Sequence, residues 1–600
     1  MCGIAGIIST KAINVSSLIK MSDSIKHRGP DGEGVWTNEE NTVGFAHRRL
    51  SIIDLSENGK QPMHYDDRYT ITFNGEIYNY LELKKDLIEE GYRFKTNTDT
   101  EVLLALYSKE KEKCLHKLDG MFAFVIYDKM EKKIFGARDR FGEKPFYYMF
   151  KNKEFIFCSE IKGILTSGND ESINFKILYN FLQTSHILHN YDKPEETFYH
   201  SILKLPKANY FTIDENLNLT ILPYWDLNTI KQNTTITFEE AKTEFTRLFN
   251  ESIRLRLRSD VPLGSSLSGG LDSSTIVATI ARLNQTSQHT FSARFKNYHR
   301  DEGKYIELVT NNLKVSKHYV WPDEEMFIED FEKMFWHQDE PVSSASIYAQ
   351  FAVMKKAKEE GVTVLLDGQG ADEILAGYEY YLDFYLADVY KNQPNNYKST
   401  LKEYSTLHKH LSFEDLALKK DVAVSGKKIN PLLKFYKPKT YYLLKNNIPL
   451  PGFFSKEFMY SFKENPKPKN VSYQSLNDFL KYSVSTNNLE DLLRYSDRNS
   501  MAHAREVRLP FLSHKLVEFL FTLPAEFKIY KGWTKYLLRE SMKDILPNEI
   551  TWRVDKVGYE PPQTNWLRHK KISELTMHAF EKLQAKNIIH KNAKLSDNYK

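Results

Sequence analysis

The chain has 600 residues, too many for a single hydrophobic core, so two or more domains are expected. Its 41% apolar and 27% charged residues are those of a globular protein, and a net charge of +4 spread among acidic neighbours argues against a nucleic-acid or membrane-surface partner. No apolar run approaches the roughly 20 residues of a membrane helix. The N-terminus lacks a basic segment followed by an apolar one, and three cysteines (Cys2, Cys114, Cys158) build no disulfide framework, so a reducing cytoplasm is the expected compartment.

Residues 3–8 form a short apolar run, 16–26 read as a helix, and the turn-rich string His27-Arg28-Gly29-Pro30-Asp31-Gly32 follows. The patterning predicts strands over 42–53 and 69–73, helices over 81–90 and 99–109, and strands over 122–127, 133–137 and 155–158. Strands and helices mixed without strict alternation predict a layered α+β domain. The Asn- and Thr-rich stretch 226–237 reads as a linker, dividing the chain into domains at 1–225 and 236–600. Beyond it, Ala241, Phe245, Leu248, Phe249 and Ile253 recur at helical spacing. A strand near 262–267, a glycine turn, a helix bearing Ile276, Val277 and Ile280, and strands over 291–295 and 362–366 follow, the last preceded by a helix through 355–360. That alternation predicts a parallel α/β sheet with helices on both faces. Residues 378–482, rich in Tyr, Lys and Asn, give no pattern and read as a helical extension or a lid.

Cys2 directly follows the initiator methionine, whose removal leaves a thiol beside a free α-amino group. An amine with a pKa of about 7.7–8.0 is a suitable base for that thiol, so nucleophile and base occupy one residue. Acyl transfer also needs donors aimed at an oxyanion, and Phe73-Asn74-Gly75-Glu76-Ile77-Tyr78-Asn79 offers the Asn74 amide and the Gly75 N–H at a strand end. For a glutamine substrate, Arg49 is the candidate for the α-carboxylate and Asp99 for the α-ammonium. Plainer readings stand beside these: Arg49 as a surface cation, Asn74-Gly75 as an ordinary turn, Asp99 as a helix N-cap. Met1-Cys2-Gly3-Ile4-Ala5-Gly6, His27-Arg28-Gly29-Pro30-Asp31, His47-Arg48-Arg49-Leu50-Ser51-Ile52-Ile53-Asp54 and Asn74-Gly75-Glu76-Ile77-Tyr78-Asn79 together resemble the glutaminase domain of class II amidotransferases. The resemblance implies an N-terminal-nucleophile αββα sandwich, with Glu76 joining Arg49 and Asp99 around glutamine.

The string Leu267-Ser268-Gly269-Gly270-Leu271-Asp272-Ser273-Ser274 lies between a strand and a helix. Its glycines allow close approach of a ligand, helix-start N–H groups favour an anion, and Ser268 and Ser273 add hydroxyls. Asp272 would serve through Mg²⁺ bridging phosphate oxygens. A Gly-rich turn with a Ser/Asp cap is the plainer reading. The string resembles the pyrophosphate loop of ATP pyrophosphatases and lacks the spacing and lysine of a Walker A loop. The turn Asp367-Gly368-Gln369-Gly370-Ala371-Asp372-Glu373 makes Asp372 a second Mg²⁺ candidate, and Gly532-Trp533-Thr534-Lys535 opens a basic helix.

With Arg505-Glu506-Val507-Arg508-Leu509-Pro510-Phe511-Leu512, these segments resemble the synthetase domain of glutamine-hydrolysing asparagine synthetases, so that the likeness runs from Cys2 to about Leu567. It implies an enzyme using ATP and Mg²⁺: Cys2 frees ammonia from glutamine, and aspartate is activated as an acyl-adenylate. Asp272 and Asp372 handle pyrophosphate through Mg²⁺, Lys535 balances negative charge, Leu267 and Gly368 contact the nucleotide, and ammonia passes inside the protein. Two residues depart from the pattern, Gln369 where a glutamate often stands and Ser513 where an acid often follows. Related chains amidate uronic acids in surface-polysaccharide synthesis, so aspartate or another carboxylate is the expected acceptor. A non-catalytic protein retaining the fold is the remote alternative, against which intact Cys2, Asn74, Asp272 and Asp372 speak. The expected partners are small molecules, with neither nucleic acid nor membrane, and a homodimer is compatible with the residues.

Overall fold

The computed structural model describes residues 2–168, 172–184, 195–283, 288–311, 313–409, 453–460, 475–486, 489–555 and 560–594. Strand Gly3–Ser9 is buried along its whole length because both of its faces are covered. Successive side chains alternate between faces. Ile4 and Ile8 enter a core with Phe45, Val125, Phe157 and Phe211, while Ala5 and Ile7 pack with Leu18, Met21, Ile161 and Ile164. Strand Gly120–Asp128 repeats the logic in the facing sheet, with Ala123 and Val125 turned to the shared core and Phe122, Phe124 and Ile126 turned outward onto Leu103 and Leu106.

Two six-stranded antiparallel sheets therefore stack face to face. The first orders its strands Leu203–Lys204, Tyr147–Lys151, Glu154–Cys158, Gly3–Ser9, Val43–Arg49 and Gly32–Thr37. The second runs Leu219–Pro223, Asn209–Ile213, Lys133–Arg138, Gly120–Asp128, Tyr69–Ile77 and Met63–Tyr65. Helices Val15–Ser24 and Ile161–Thr166 cover one outer face, and Tyr80–Glu89 and Asp99–Glu110 the other, completing the expected αββα sandwich. The strand expected over 42–53 ends at Arg49. Leu50 and Ile52 leave the sheet to pack with Tyr78, Met121, Leu255, Val364, Met501 and Ala504, an apolar contact between the N- and C-terminal halves.

The five strands of the C-terminal half are all parallel, in the order Val315–Val320, Gln288–Ala293, Leu263–Ser266, Val364–Leu366 and Glu506–Arg508. Strand order reverses between Leu263–Ser266 and Val364–Leu366, and a crevice opens at such a switch point beyond the strands' C-terminal ends. The loops that follow these two strands are the serine–glycine and Asp-Gly-Gln-Gly strings. Glu506–Arg508, with both charged side chains fully buried, was not among the strands expected from the sequence. Within 378–482 the described parts include helices Tyr381–Asn392, Tyr397–Leu407, Lys456–Tyr460 and Leu476–Ser485, while 410–452 and 461–474 lie outside the described residues. Among the described residues, no helix is long and apolar enough to cross a membrane.

Candidate active sites

The end of strand Gly3–Ser9 delivers Cys2 to strand Tyr69–Ile77 of the facing sheet. The Cys2 main-chain nitrogen, which becomes the α-amino group once Met1 is removed, donates to Asn74 Oδ1 at 2.9 Å. With its oxygen fixed on that nitrogen, Asn74 keeps Nδ2 buried and, among the described residues, without a hydrogen-bond partner, a donor available to an oxyanion. A Cβ on Gly75 would lie 2.1 Å from the Met121 carbonyl oxygen, so only glycine allows this approach of the strands. Burial pushes the Cys2 thiol above its ordinary value, while the nearby Arg49 pulls it the other way. A thiol held up in this way needs an adjacent base.

Arg49 is buried, not a surface cation, and donates to the carbonyl oxygens of Asp54 and of Ser56, the latter at 2.7 Å. Asp99 is not the cap of its helix: Thr98 is, accepting from the Glu101 N–H at 3.2 Å, because only a residue outside the first turn reaches that donor. The Asp99 carboxylate instead accepts from the Ile77 N–H at 2.8 Å, and burial raises it to about 6. Glu76 is held well above the usual carboxylate range by burial and by Glu506, and its Oε2 lies 3.7 Å from Arg508 Nη2 of the C-terminal half.

Arg28 was not singled out by the sequence as a site residue. Fully buried, it donates from Nε to the carbonyl oxygen of Cys2 at 3.1 Å, and from Nη1 and Nη2 to the two carboxylate oxygens of Asp497 at 2.8 and 2.9 Å. Glu160 takes a further bond from Nη1 at 2.7 Å. The available signal was the His-Arg-Gly-Pro string, whose Gly29 has no room for a Cβ, since one would lie 2.3 Å from the Arg48 carbonyl.

In the C-terminal half, the loop after Leu263–Ser266 folds on itself. Ser268 Oγ lies 3.1 Å from Ser273 Oγ and accepts from the Gly270 N–H at 3.3 Å, and Gly269 takes a left-handed φ of 77°. A Cβ on Gly368 would come within 3.1 Å of Asp272 Cβ, so the two loops abut. Leu267, expected to contact nucleotide, has its side chain in the core, its N–H on the Phe291 carbonyl and its own carbonyl under the Ser292 hydroxyl. These pairings make it a support beneath the loop.

Lys535 joins the two loops. Its ammonium lies 2.7 and 2.5 Å from the Asp272 carboxylate oxygens and 2.6 Å from Asp372 Oδ1. Burial works against its charge, yet the two carboxylates hold Lys535 above its ordinary value. A Cβ on Gly377 would sit 1.8 Å from Asp372 Oδ1 and 2.1 Å from Lys535 Cε, a requirement the sequence did not reveal. Two converging carboxylates, one from each loop, supply the hard oxygen donors that Mg²⁺ takes. Among the described residues no three His, Cys, Asp or Glu side chains gather into a metal site, so Mg²⁺ here would share its ligands with substrate oxygens and water.

The family model for a glutamine amidotransferase domain matches residues 1–225, and that for asparagine synthase matches 244–596. The chain is 33% identical to glutamine-hydrolyzing asparagine synthetase 1 of Bacillus subtilis, over 99% of this chain and 92% of that protein. It is 39% identical to a putative glutamine-hydrolyzing asparagine synthetase 2 of Methanocaldococcus jannaschii, over 66% of this chain and 79% of that one. It is also 28% identical to amidase chry2 of Gibberella zeae, over 96% and 92% of the two chains.

Proposed function

We infer, because the chain belongs to the glutamine-hydrolysing asparagine synthetase family and is thus an ATP-dependent carbon–nitrogen ligase with glutamine as nitrogen donor, that it converts aspartate to asparagine. Residues 1–225 form the glutaminase and 236–600 the synthetase. The observation that carries the reading is the Cys2 nitrogen held on Asn74 Oδ1, in one chain with a lysine-bridged carboxylate pair at the ends of parallel strands.

In the first site the freed α-amine takes the Cys2 thiol proton as sulfur attacks the glutamine amide carbon. Asn74 Nδ2 and the Gly75 N–H carry the oxyanion. Arg49 binds the substrate carboxylate and Asp99 its ammonium, with Glu76 lining the same amino-acid end. Collapse releases ammonia and leaves a thioester, which water cleaves to glutamate. In the second site Ser268, Gly269, Gly270 and Ser273 cradle the ATP phosphates, with Gly368 against them and Leu267 beneath. Aspartate attacks the α-phosphorus, giving β-aspartyl-adenylate and pyrophosphate. Mg²⁺ held by Asp272 and Asp372 would neutralise charge on the phosphate oxygens, and Lys535 balances the charge of the departing group. Ammonia travelling within the protein then displaces AMP. Enclosure matters, since free ammonia at neutral pH is mostly protonated and not nucleophilic.

Gln369 is the observation that favours a second reading, a uronic acid acceptor. Its Oε1 is buried and, among the described residues, without a hydrogen-bond partner, and a neutral amide there positions but does not take protons. Offering aspartate and uronic acids with ATP, Mg²⁺ and glutamine, and identifying the amide by mass, decides between them. Asparagine is expected; a uronamide with no asparagine would replace this reading. The cytoplasm is the compartment we assign, in keeping with three free, buried cysteines.

A further inference from the structure

Replacing an acyl-adenylate with an amide releases a proton from the attacking nitrogen, and the carboxylates around the second crevice differ in their freedom to take it. Asp272 and Asp372 are both engaged by the Lys535 ammonium. Glu373 is buried beneath the turn, where its Oε1 accepts from the Tyr378 hydroxyl at 3.0 Å. Gln369 is neutral. Asp367 remains.

Asp367 occupies the first position after central strand Val364–Leu366, its N–H tied to the Arg508 carbonyl at 3.0 Å. The side chain is half-buried beside Gly368, the residue that abuts Asp272. Its Oδ1 accepts from the Gly368 N–H at 2.7 Å, and its Oδ2 receives only a long contact, 3.3 Å, from Gln350 Nε2. The Gln350 orientation is fixed from behind: its Oε1 accepts from Asn499 Nδ2 at 3.0 Å, and Asn499 Oδ1 in turn accepts from Gln338 Nε2 at 2.9 Å. Every partner of Asp367 among the described residues is neutral. A carboxylate at a crevice with neutral donors on it, one of them long, keeps basicity that an ion-paired carboxylate loses. Burial pushes the Asp367 carboxyl above its ordinary value, in the same direction.

We propose that Asp367 is the proton acceptor of the amide-forming step in the second site. As ammonia adds to the acyl carbon, an N–H bond breaks and its proton moves to an Asp367 carboxylate oxygen. The bond from acyl carbon to AMP oxygen breaks with its electron pair leaving on AMP, and the Asp367 proton passes to water. The Gln369 carbonyl oxygen accepts a second N–H of the same nitrogen and aims it. This inference rests on the two-site reading given above.

The test separates partial reactions in the full-length enzyme, using ammonium chloride as nitrogen source and whichever acceptor the wild type amidates. A wild type that makes no asparagine overturns the aspartate reading alone, and the Asp367 comparison then runs with the uronic acid. In Asp367→Asn, single-turnover amide formation falls by ~100-fold or more, while acceptor-dependent pyrophosphate release and glutamine hydrolysis persist. Asp367→Glu recovers part of the loss, and Gln369→Glu added to Asp367→Asn recovers more by supplying a carboxylate one residue away. Amide formation at the wild-type rate in Asp367→Asn overturns the proposal, as does pyrophosphate release falling in parallel with it. If Asp367→Asn loses glutamine hydrolysis through misfolding, Asp367→Ser is read in the same way.

Discussion

Arg28 and Asp497 stand 469 positions apart in the chain and meet in a two-point ion pair, while the same guanidinium donates to the main-chain oxygen of Cys2. The backbone of Cys2, the proposed nucleophile, is thus braced by a side chain that the C-terminal half holds in place. Buried ion pairs add little net stability, but removing one partner strands the other. Arg28→Ala leaves Asp497, among the described residues, with Arg498 at 3.6 Å and Lys144 as its remaining nearby cations. The variant should lose about 3 kcal/mol in urea unfolding and should hydrolyse glutamine more slowly at unchanged Cys2. Wild-type values of both would remove the bracing role.

In the proposed mechanism Asn74 carries two duties, anchoring the nitrogen of Cys2 and offering Nδ2 to the oxyanion. Asn74→Ala should lower kcat for glutamine hydrolysis by about 100-fold or more, with synthesis from ammonium chloride retained. Cys2→Ala should abolish glutamine hydrolysis under the same split. Steady-state assays with each nitrogen source give the result directly, and a Cys2→Ala enzyme as fast as wild type would refute the nucleophile.

Gly377 tests the lysine bridge without altering any charge. Gly377→Ala places a methyl group where Asp372 and Lys535 meet, so acceptor-dependent pyrophosphate release should fall while glutamine hydrolysis stays. Asp272→Ala should abolish that release. Release unchanged in either variant would dissociate this cluster from adenylation.

Asp99 gives a pH signature. Its folded value, about 6, lies above the roughly 3.9 of an unfolded aspartate, so between these values the folded chain holds more protons. This group therefore contributes stability below pH ~4 that is lost as pH rises through about 6. Asp99→Asn should flatten that segment of the stability profile in denaturant titrations. Because only the ionised carboxylate attracts an ammonium, kcat/KM for glutamine in the wild type should drop as pH falls below about 6. A flat profile down to pH ~5 would separate Asp99 from substrate binding.

Much of the N-terminal half was legible because strands buried on both faces read as continuous apolar runs, as Gly3–Ser9 and Gly120–Asp128 do. The strand–turn–helix around Ser268 was legible because glycine and serine between a strand and a helix carry a local meaning. Glu506–Arg508 escaped because its charges are satisfied only in three dimensions: Arg508 pairs with Glu506 at 2.6 Å and caps the Arg256 carbonyl at 2.8 Å. Parts of 378–482 escaped for a related reason. Tyr381, Tyr385 and Tyr404 are core residues there, and Tyr381 buries its ring only because its hydroxyl finds Ser483 Oγ at 2.7 Å. Arg28 and Gly377 depend on contacts distant in the chain or closer than any residue pattern encodes.

Helix Leu489–Met501 is the party wall of this enzyme. From one side Asp497 reaches Arg28 and through it the Cys2 carbonyl, and from the other Asn499 orients Gln350 toward Asp367. On the proposed two-site mechanism, thirteen residues thus serve two chemistries that share no substrate. Repacking this helix to admit a different acceptor would disturb the tenant next door, so a change made for nitrogen capture is expected to reach nitrogen release as well.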